Sequence, residues 1–333
     1  MQGVKGHLWE QVVLPTVVRK GLLWSPANSG PLTVRRQVLT VHDVASIEHP
    51  EWYKRAFAAW YRWMTPKLVH RVQRVITISE FSKRRLLELT GVDESRVIVI
   101  PGGVDSRFCP RPSQEVERAR QALKIPSPHY VLSVSTLEPR KNLQRLLSAW
   151  ASCASDIPDD LWLVIAGADG SGRVFSCPDI SSVPPRVRIT GFVADRDLPA
   201  LYSGALAFAY VSLYEGFGLP ALEAMACGTI PVVASNSALP EVVGDAGLLV
   251  NPFDSEAIAA GIKRIVEEPD LRDYLKIRAI ERSKHFSWER TADLTWNVLH
   301  AEAQAGPRTY AKAHNATAAD ARSVVPASPQ RLS

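Results

Sequence analysis

The sequence predicts an α/β protein built on parallel sheets and divided into two domains. Three observations carry this reading. Short β-branched runs alternate with stretches of helical spacing over most of the 333 residues, the pattern of a chain passing repeatedly from strand to helix to strand. The runs are apolar nearly throughout rather than alternating, as strands buried on both faces are. A Gly-, Pro- and Ser-rich break, "GGVDSRFCPRPSQE" (102–115), then separates two such series and reads as a linker.

Taken in order, strands are expected at 37–43, 74–79 and 96–101 before the break. After it they are expected at 130–135, 161–167, 186–192, 205–212, 230–235 and 247–250. Helices are expected at 80–91, 142–153 and 254–268, and a last amphipathic helix within 284–304 has Ser287 as its N-cap. The second series makes a complete Rossmann-like domain. The first has only three strands, fewer than a doubly wound domain needs, so the chain reads as if it began inside a domain. The division is 1–108, a partial first domain; 109–285, a second domain; 286–304, a helix crossing back to the first; and 305–333, a tail rich in Ala, Pro, Ser and Arg that reads as disordered. The segment 52–74 places Tyr53, Phe57, Met64, Leu68 and Val72 at helical spacing with Pro66 as a kink. Its basic residues allow two readings, a core helix with a solvated basic face or a helix lying on an anionic membrane. The first is preferred, because the sheet needs apolar cover.

Charge is unevenly spread. Residues 1–108 hold 16 Lys and Arg against 9 Asp and Glu, and the remainder 23 against 25, for a net charge of +5 overall. A basic first part implies an anionic partner such as phospholipid head groups or a lipid-linked phosphate. No nucleic-acid-binding motif accompanies it. The four cysteines, Cys109, Cys153, Cys177 and Cys227, form no CxxC pair and read as free thiols rather than a disulfide frame or a zinc site. No apolar run is long enough to span a bilayer, and the first thirty residues lack the order of a signal peptide, which places the chain in the cytoplasm.

The segment most informative about chemistry is "YEGFGLPALEAMACG" (214–228), which follows the strand expected at 205–212. A helix is expected to start at Leu219–Pro220, where proline's missing N–H costs nothing, and to stop at Gly228. Gly216 and Gly218 let the backbone approach a ligand closely. The unpaired N–H groups of the first turn, at the carboxyl ends of the strands, form an anion site suited to a diphosphate. Glu215 and Glu223 then stand on either side of it, and carboxylates accept hydrogen bonds from sugar hydroxyls. A sugar nucleotide carries hydroxyls on both sides of its diphosphate.

The same residues carry a resemblance to a known family. "EGFGLPALEAMACG", with "PVVAS" and "LPEVVGDAGLLV" after it, resembles the family 4 glycosyltransferases of the GT-B fold, two Rossmann-like domains facing a cleft. "TVHDVA" (40–45), "VITISEFSKRRL" (75–86), "VIPGGVD" (99–105), "VSTLEPRKNLQRLL" (134–147) and "ITGFVADRDLPALYSGA" (189–205) extend it across residues 7–303. The resemblance implies that Glu215 contacts the transferred sugar and Glu223 the ribose. It implies that backbone amides near Phe217, Gly218 and Leu219 hold the diphosphate. Lys141 would neutralise a phosphate and assist the leaving group, and His42 would touch the sugar from the first domain. It implies no metal ion and no cofactor beyond the nucleotide-sugar donor. Where the family commonly has an arginine five residues before the lysine, this chain has Thr136, and Arg140 is the candidate replacement. The variant "EPRKN" resembles a subgroup of bacterial mannosyltransferases. The expected activity is retaining transfer of a sugar, mannose from GDP-mannose in the first instance, to a lipid-linked glycan in cell-surface polysaccharide (O-antigen, lipopolysaccharide) synthesis at the inner face of the plasma membrane.

Competing readings were weighed on the residues. Glu215 and Glu223 as a turn and an exposed helix position fit the surrounding motif poorly. His42 at a strand end is, without the resemblance, as readily structural. Ser79, Glu80 and Ser82 read as a helix cap. "GADGSG" (167–172) lacks the order of a dinucleotide fingerprint, which sets aside an NAD-dependent oxidoreductase. A different class of function remains, a truncated, non-catalytic chain that binds nucleotide only, because the strand and glycine-containing loop with which the family begins are expected before Met1.

Overall fold

A computed structural model of the chain describes residues 6–18, 21–167 and 183–305. It contains two all-parallel sheets. The first holds β1 (Leu23–Ser25), β2 (Gln37–Val41), β3 (Arg74–Thr77) and β4 (Val97–Val99), paired in that order. The second holds β5 (Tyr130–Val134), β6 (Trp162–Ala166), β7 (Val187–Gly191), β8 (Ala207–Tyr210), β9 (Ile230–Ala234) and β10 (Leu248–Val250). Its spatial order is β10-β9-β8-β5-β6-β7. From β5 the chain winds outward through β6 and β7, then returns to start β8 on the other side of β5. The ends of β5 and β8 therefore form the switch point of a doubly wound sheet, where ligands of such folds bind. The strands are shorter than the sequence implies, so that His42 and Ser79 lie just beyond their strands. β1 is an addition to the three strands expected in the first domain. The expected tail within 306–333, Cys177 and the turn after Gly167 lie outside the described residues.

The uninterrupted apolar runs have a direct explanation. In the second sheet Tyr130, Leu132, Val164, Phe208 and Tyr210 face one hydrophobic cluster, and their neighbours Val131, Leu163, Ile165, Ala207 and Ala209 face another. Both faces are buried, so alternate residues are apolar for two different cores. In the first sheet Leu39, Val41 and Val75 pack under Leu68 and Val69 of the helix Arg55–Arg71. That helix is continuous across Pro66, and its apolar stripe is core. Trp63, by contrast, is exposed, with the Lys67 ammonium 3.9 Å above its ring.

The opposite face of the first sheet, Val38, Ile76 and Ile100, is covered by Val298 and Leu299 of the helix Trp288–Gln304. Ser287 caps this helix, its Oγ accepting from the Arg290 N–H at 3.2 Å. The Arg74 Nε–H donates to buried Glu302 at 2.7 Å, and the Thr291 hydroxyl donates to the Pro101 carbonyl at 2.7 Å. The chain crosses back against Gly103. A Cβ there would overlap the backbone of Ser287 and Trp288, which a side-chain rotation cannot relieve. Gly103→Ala is expected to cost about 1–3 kcal/mol, the range for overpacking, read as a lowered denaturation midpoint with an unchanged m-value.

Candidate active site

β5 and β8 each end in a functional segment. After β5, Pro139–Lys141 form one 3-10 turn, and Asn142 in the left-handed region (φ 59°) starts the helix Leu143–Cys153. The Asn142 side chain fixes the turn by donating to the Val211 carbonyl at 3.0 Å and the Pro252 carbonyl at 2.7 Å. The Leu213 N–H donates to the Arg140 carbonyl at 2.7 Å, tying the turn to the segment after β8. That segment carries Glu215. Gly218, at φ 105°, adopts a backbone that L side chains rarely reach and opens the helix Leu219–Ala226, with Pro220 in its first turn.

Four charged side chains meet here, with Glu138, Lys141 and Glu215 buried and Arg140 partly buried. Glu215 pairs with Arg140 at 2.9 Å and with Lys141 at 2.8 Å. Glu138 pairs with Arg140 at 2.9 Å and accepts from the Thr136 hydroxyl at 3.0 Å. Lys141 also donates to the Tyr210 hydroxyl at 2.7 Å. Burial alone would raise the pKa of Glu215, but the Arg140 and Lys141 charges override it and hold it at about 2. Burial draws Lys141 below the ordinary lysine value, with Glu215 opposing. Burial acts downward on Arg140 as well, yet Glu215 and Glu138 raise it well above its usual value. Glu215 and Arg140 are therefore ionised, and two acidic and two basic side chains meet at this point. Thr136, where an arginine was sought, serves Glu138, and Glu138 in turn holds Arg140.

This cluster lines one end of a cavity of about 730 Å3 between the two sheets. His42, Asp43, Gly218 and Leu219 share that end, and Phe217 also borders it. The His42 Nε2 lies 2.8 Å from the Pro26 carbonyl, so this nitrogen carries the proton, and its backbone N–H donates to Asn28 Oδ1 at 2.6 Å. Trp24, Ile76, Ile100, Trp288, Trp296 and Leu299 make the apolar end. Of the residues singled out in the sequence, Glu215, Lys141, Arg140, His42, Phe217, Gly218 and Leu219 are thus gathered in one place. Glu223 is not among the residues lining that cavity, and its Oε2 accepts from the Tyr202 hydroxyl at 3.0 Å. Glu138 and Tyr210 were missed. Tyr210 sits in a run read as core, and Glu138 stood inside a quoted motif without a role.

A family model for glycosyl transferases group 1 matches residues 115–282, and one for glycosyltransferase family 4 matches residues 20–108. The O-antigen chain mannosyltransferase B of Escherichia coli is 33% identical over 271 residues, covering 80% of this chain and 71% of that protein. The chain is a family 4 glycosyltransferase. The serotype-specific mannosyltransferase WbdA of Escherichia coli is 29% identical over 230 residues, 67% of this glycosyltransferase but 28% of WbdA. Among solved structures, HepE of Anabaena in complex with UDP and glucose superposes with a TM-score of 0.68 at 24% identity, covering 80% of this chain and 71% of HepE. WaaG, a glycosyltransferase involved in lipopolysaccharide biosynthesis, gives 0.67 at 14%, covering 90% and 85%. The fold of this glycosyltransferase is GT-B.

Glu223 offers a measurement independent of substrate. Burial raises its pKa to about 7 from an unfolded value near 4.5. A carboxyl shifted upward adds stability when protonated and loses it as pH rises from the unfolded to the folded value. Glu223→Gln, which mimics the protonated form, is expected to melt higher than the parent at pH 8, with the difference shrinking as pH falls toward 4.5 and gone below it.

Proposed function

We propose that this glycosyltransferase moves mannose from GDP-mannose, with retention, to a lipid-linked glycan acceptor during cell-surface polysaccharide synthesis. The observation that carries the reading is the buried Arg140–Lys141–Glu215 cluster at the switch point, facing the first turn of Leu219–Ala226. Mannose is favoured by the likeness to O-antigen chain mannosyltransferase B.

The donor diphosphate would rest on the N–H groups of Gly218 and Leu219, with Lys141 and Arg140 beside it. As the bond from the sugar to phosphate breaks, negative charge grows on the departing nucleoside diphosphate. Two fixed cations and a helix N-terminus stabilise that charge without having to reorganise. Glu215, already ionised, accepts from the sugar hydroxyls, and His42 approaches the sugar from the first domain. Glu223 would reach the ribose, where its carboxylate form serves as acceptor. The apolar end of the cavity is left for the acceptor. No helix among the described residues is long and apolar enough to cross a membrane. Peripheral attachment to the inner face of the plasma membrane, from the cytoplasm, would fall to the exposed side chains of Arg62, Trp63 and Lys67.

A thermal-shift panel with GDP, UDP, dTDP, ADP and NAD tests the donor site. Binding at about 100 times the dissociation constant adds about 2.7 kcal/mol. A selective shift with GDP is expected, and a shift with UDP or dTDP instead would replace mannose as the sugar. Lys141→Ala and Glu215→Gln are expected to lower kcat by about 100- to 1,000-fold, the range for removing one charge-stabilising group. A GDP shift with no transfer to any glycan would leave a nucleotide-binding chain. Sedimentation with phosphatidylglycerol-containing vesicles is expected to weaken in the Arg62→Glu/Lys67→Glu variant and in high salt. Unchanged sedimentation would return this helix to a purely structural role.

A further inference from the structure

Glu241 belongs to the short helix Leu239–Val243 of the second domain, yet its carboxylate serves the first. Oε2 accepts from the Glu80 N–H and Oε1 from the Phe81 N–H, both at 2.9 Å. These amides open the helix Glu80–Thr90 and have no partner within it. Ser79, one residue earlier, acts in two directions. Its Oγ accepts from the Ser82 N–H at 3.0 Å and donates to the Gly216 carbonyl at 2.6 Å. The Ser82 Oγ lies 3.2 Å from the same carbonyl and 3.1 Å from that of His42, and its single hydrogen serves one at a time.

Gly216 is the residue after Glu215, and it is pressed against the first domain. A Cβ there would lie 2.6 Å from the His42 carbonyl oxygen and 2.9 Å from the Asp43 Cβ. The carbonyl of Glu215 itself accepts from the Ala238 N–H at 3.3 Å, three residues before Glu241. The backbone carrying the charged glutamate is therefore gripped twice. The chain leading to Glu241 holds one carbonyl, and serines of the other domain hold the next.

We propose that Glu241, Ser79 and Ser82 are positioning residues that couple closure of the two domains to the orientation of Glu215. When the domains part, Glu241 loses both amides and the Gly216 carbonyl loses its hydroxyl donors in the same movement. Gly216 and Gly218 then allow the Glu215 loop more freedom than any other residues would. On closure the contacts re-form together and place Glu215 beside Arg140 and Lys141, with His42 opposite. None of the three side chains lines the cavity, so they act through the peptide they hold. The kinetic arm of this proposal rests on the transferase reading above, and its structural arm does not.

Amide hydrogen exchange on the full chain tests the structural arm. Glu241→Ala is expected to speed exchange at Glu80 and Phe81 and also at residues 215–218, while β5 and β8 stay protected. Ser79→Ala/Ser82→Ala is expected to speed exchange at 215–218. Unchanged exchange there in both variants overturns the coupling. In transfer assays Glu241→Gln, which keeps the size of the side chain but turns one acceptor into a donor, is expected to lower kcat by about 100-fold, as a displaced catalytic group does. Its dissociation constant for the nucleoside diphosphate should stay within about twofold of the parent's. A loss confined to that constant, with kcat intact, also overturns the proposal. A parent chain that transfers no sugar would remove the functional reading, and the exchange result would still decide the coupling.

Discussion

The site depends on one arrangement of charge, two carboxylates and two basic side chains, largely buried, meeting where β5 and β8 end side by side. An isolated charge at this depth is untenable, because desolvation costs several kcal/mol per ion. Glu215 keeps its charge because Arg140 and Lys141 are there, and Glu138 and Glu215 are in turn the partners of those two basic side chains. The backbone around them follows from that need. The 3-10 turn at Pro139–Lys141 brings consecutive cations to one place, and Asn142 in a left-handed conformation then starts the next helix. The diphosphate of the proposed donor would bring surplus negative charge to this set, and Arg140 and Lys141 would divide themselves between it and their present partners. On that proposal the site would bind by exchanging partners rather than by filling an empty positive pocket.

The fold was legible where burial dictates composition. Strands covered on both faces must be apolar at nearly every position, and β5, β6 and β8 are visible for that reason. Ser287 and Pro220 mark helix starts through local backbone chemistry that needs no tertiary context. β1 was not legible: it has three residues, one of them the exposed Trp24, and it is a strand because β2 lies alongside it. Within the site, the meeting of Glu215 with Arg140 and Lys141 was approached through the family likeness more than through spacing. The direction in which Glu223 points was not legible, because separation along a chain does not give rotation. Between Glu215 and Glu223 lies the left-handed Gly218, which redirects the backbone before the helix begins. The eight-residue interval therefore says little about whether the two carboxyls share a side.

Charge also ties the two domains to each other. A carboxylate at a helix N-terminus is a favourable use of unpaired amides, and here the carboxylate and the helix come from different domains. The aromatic contact of Tyr214 with Phe81, at 5.1 Å, and the packing of Phe217 against Phe286, at 5.7 Å, add apolar surface on either side of the cleft floor. The floor is thus shared rather than owned by one half.

The helix that covers the second face of the first sheet has a consequence for biosynthesis. Thr291 and its partner Pro101 are 190 positions apart. At roughly 5–20 residues per second, a ribosome needs roughly 10–40 s to deliver that helix after the sheet has emerged. Throughout that interval Val38, Ile76 and Ile100 stand uncovered on an otherwise formed sheet. The nascent chain therefore passes through a long-lived sticky stage, and its yield in a cell depends on what shields that face until translation is nearly finished.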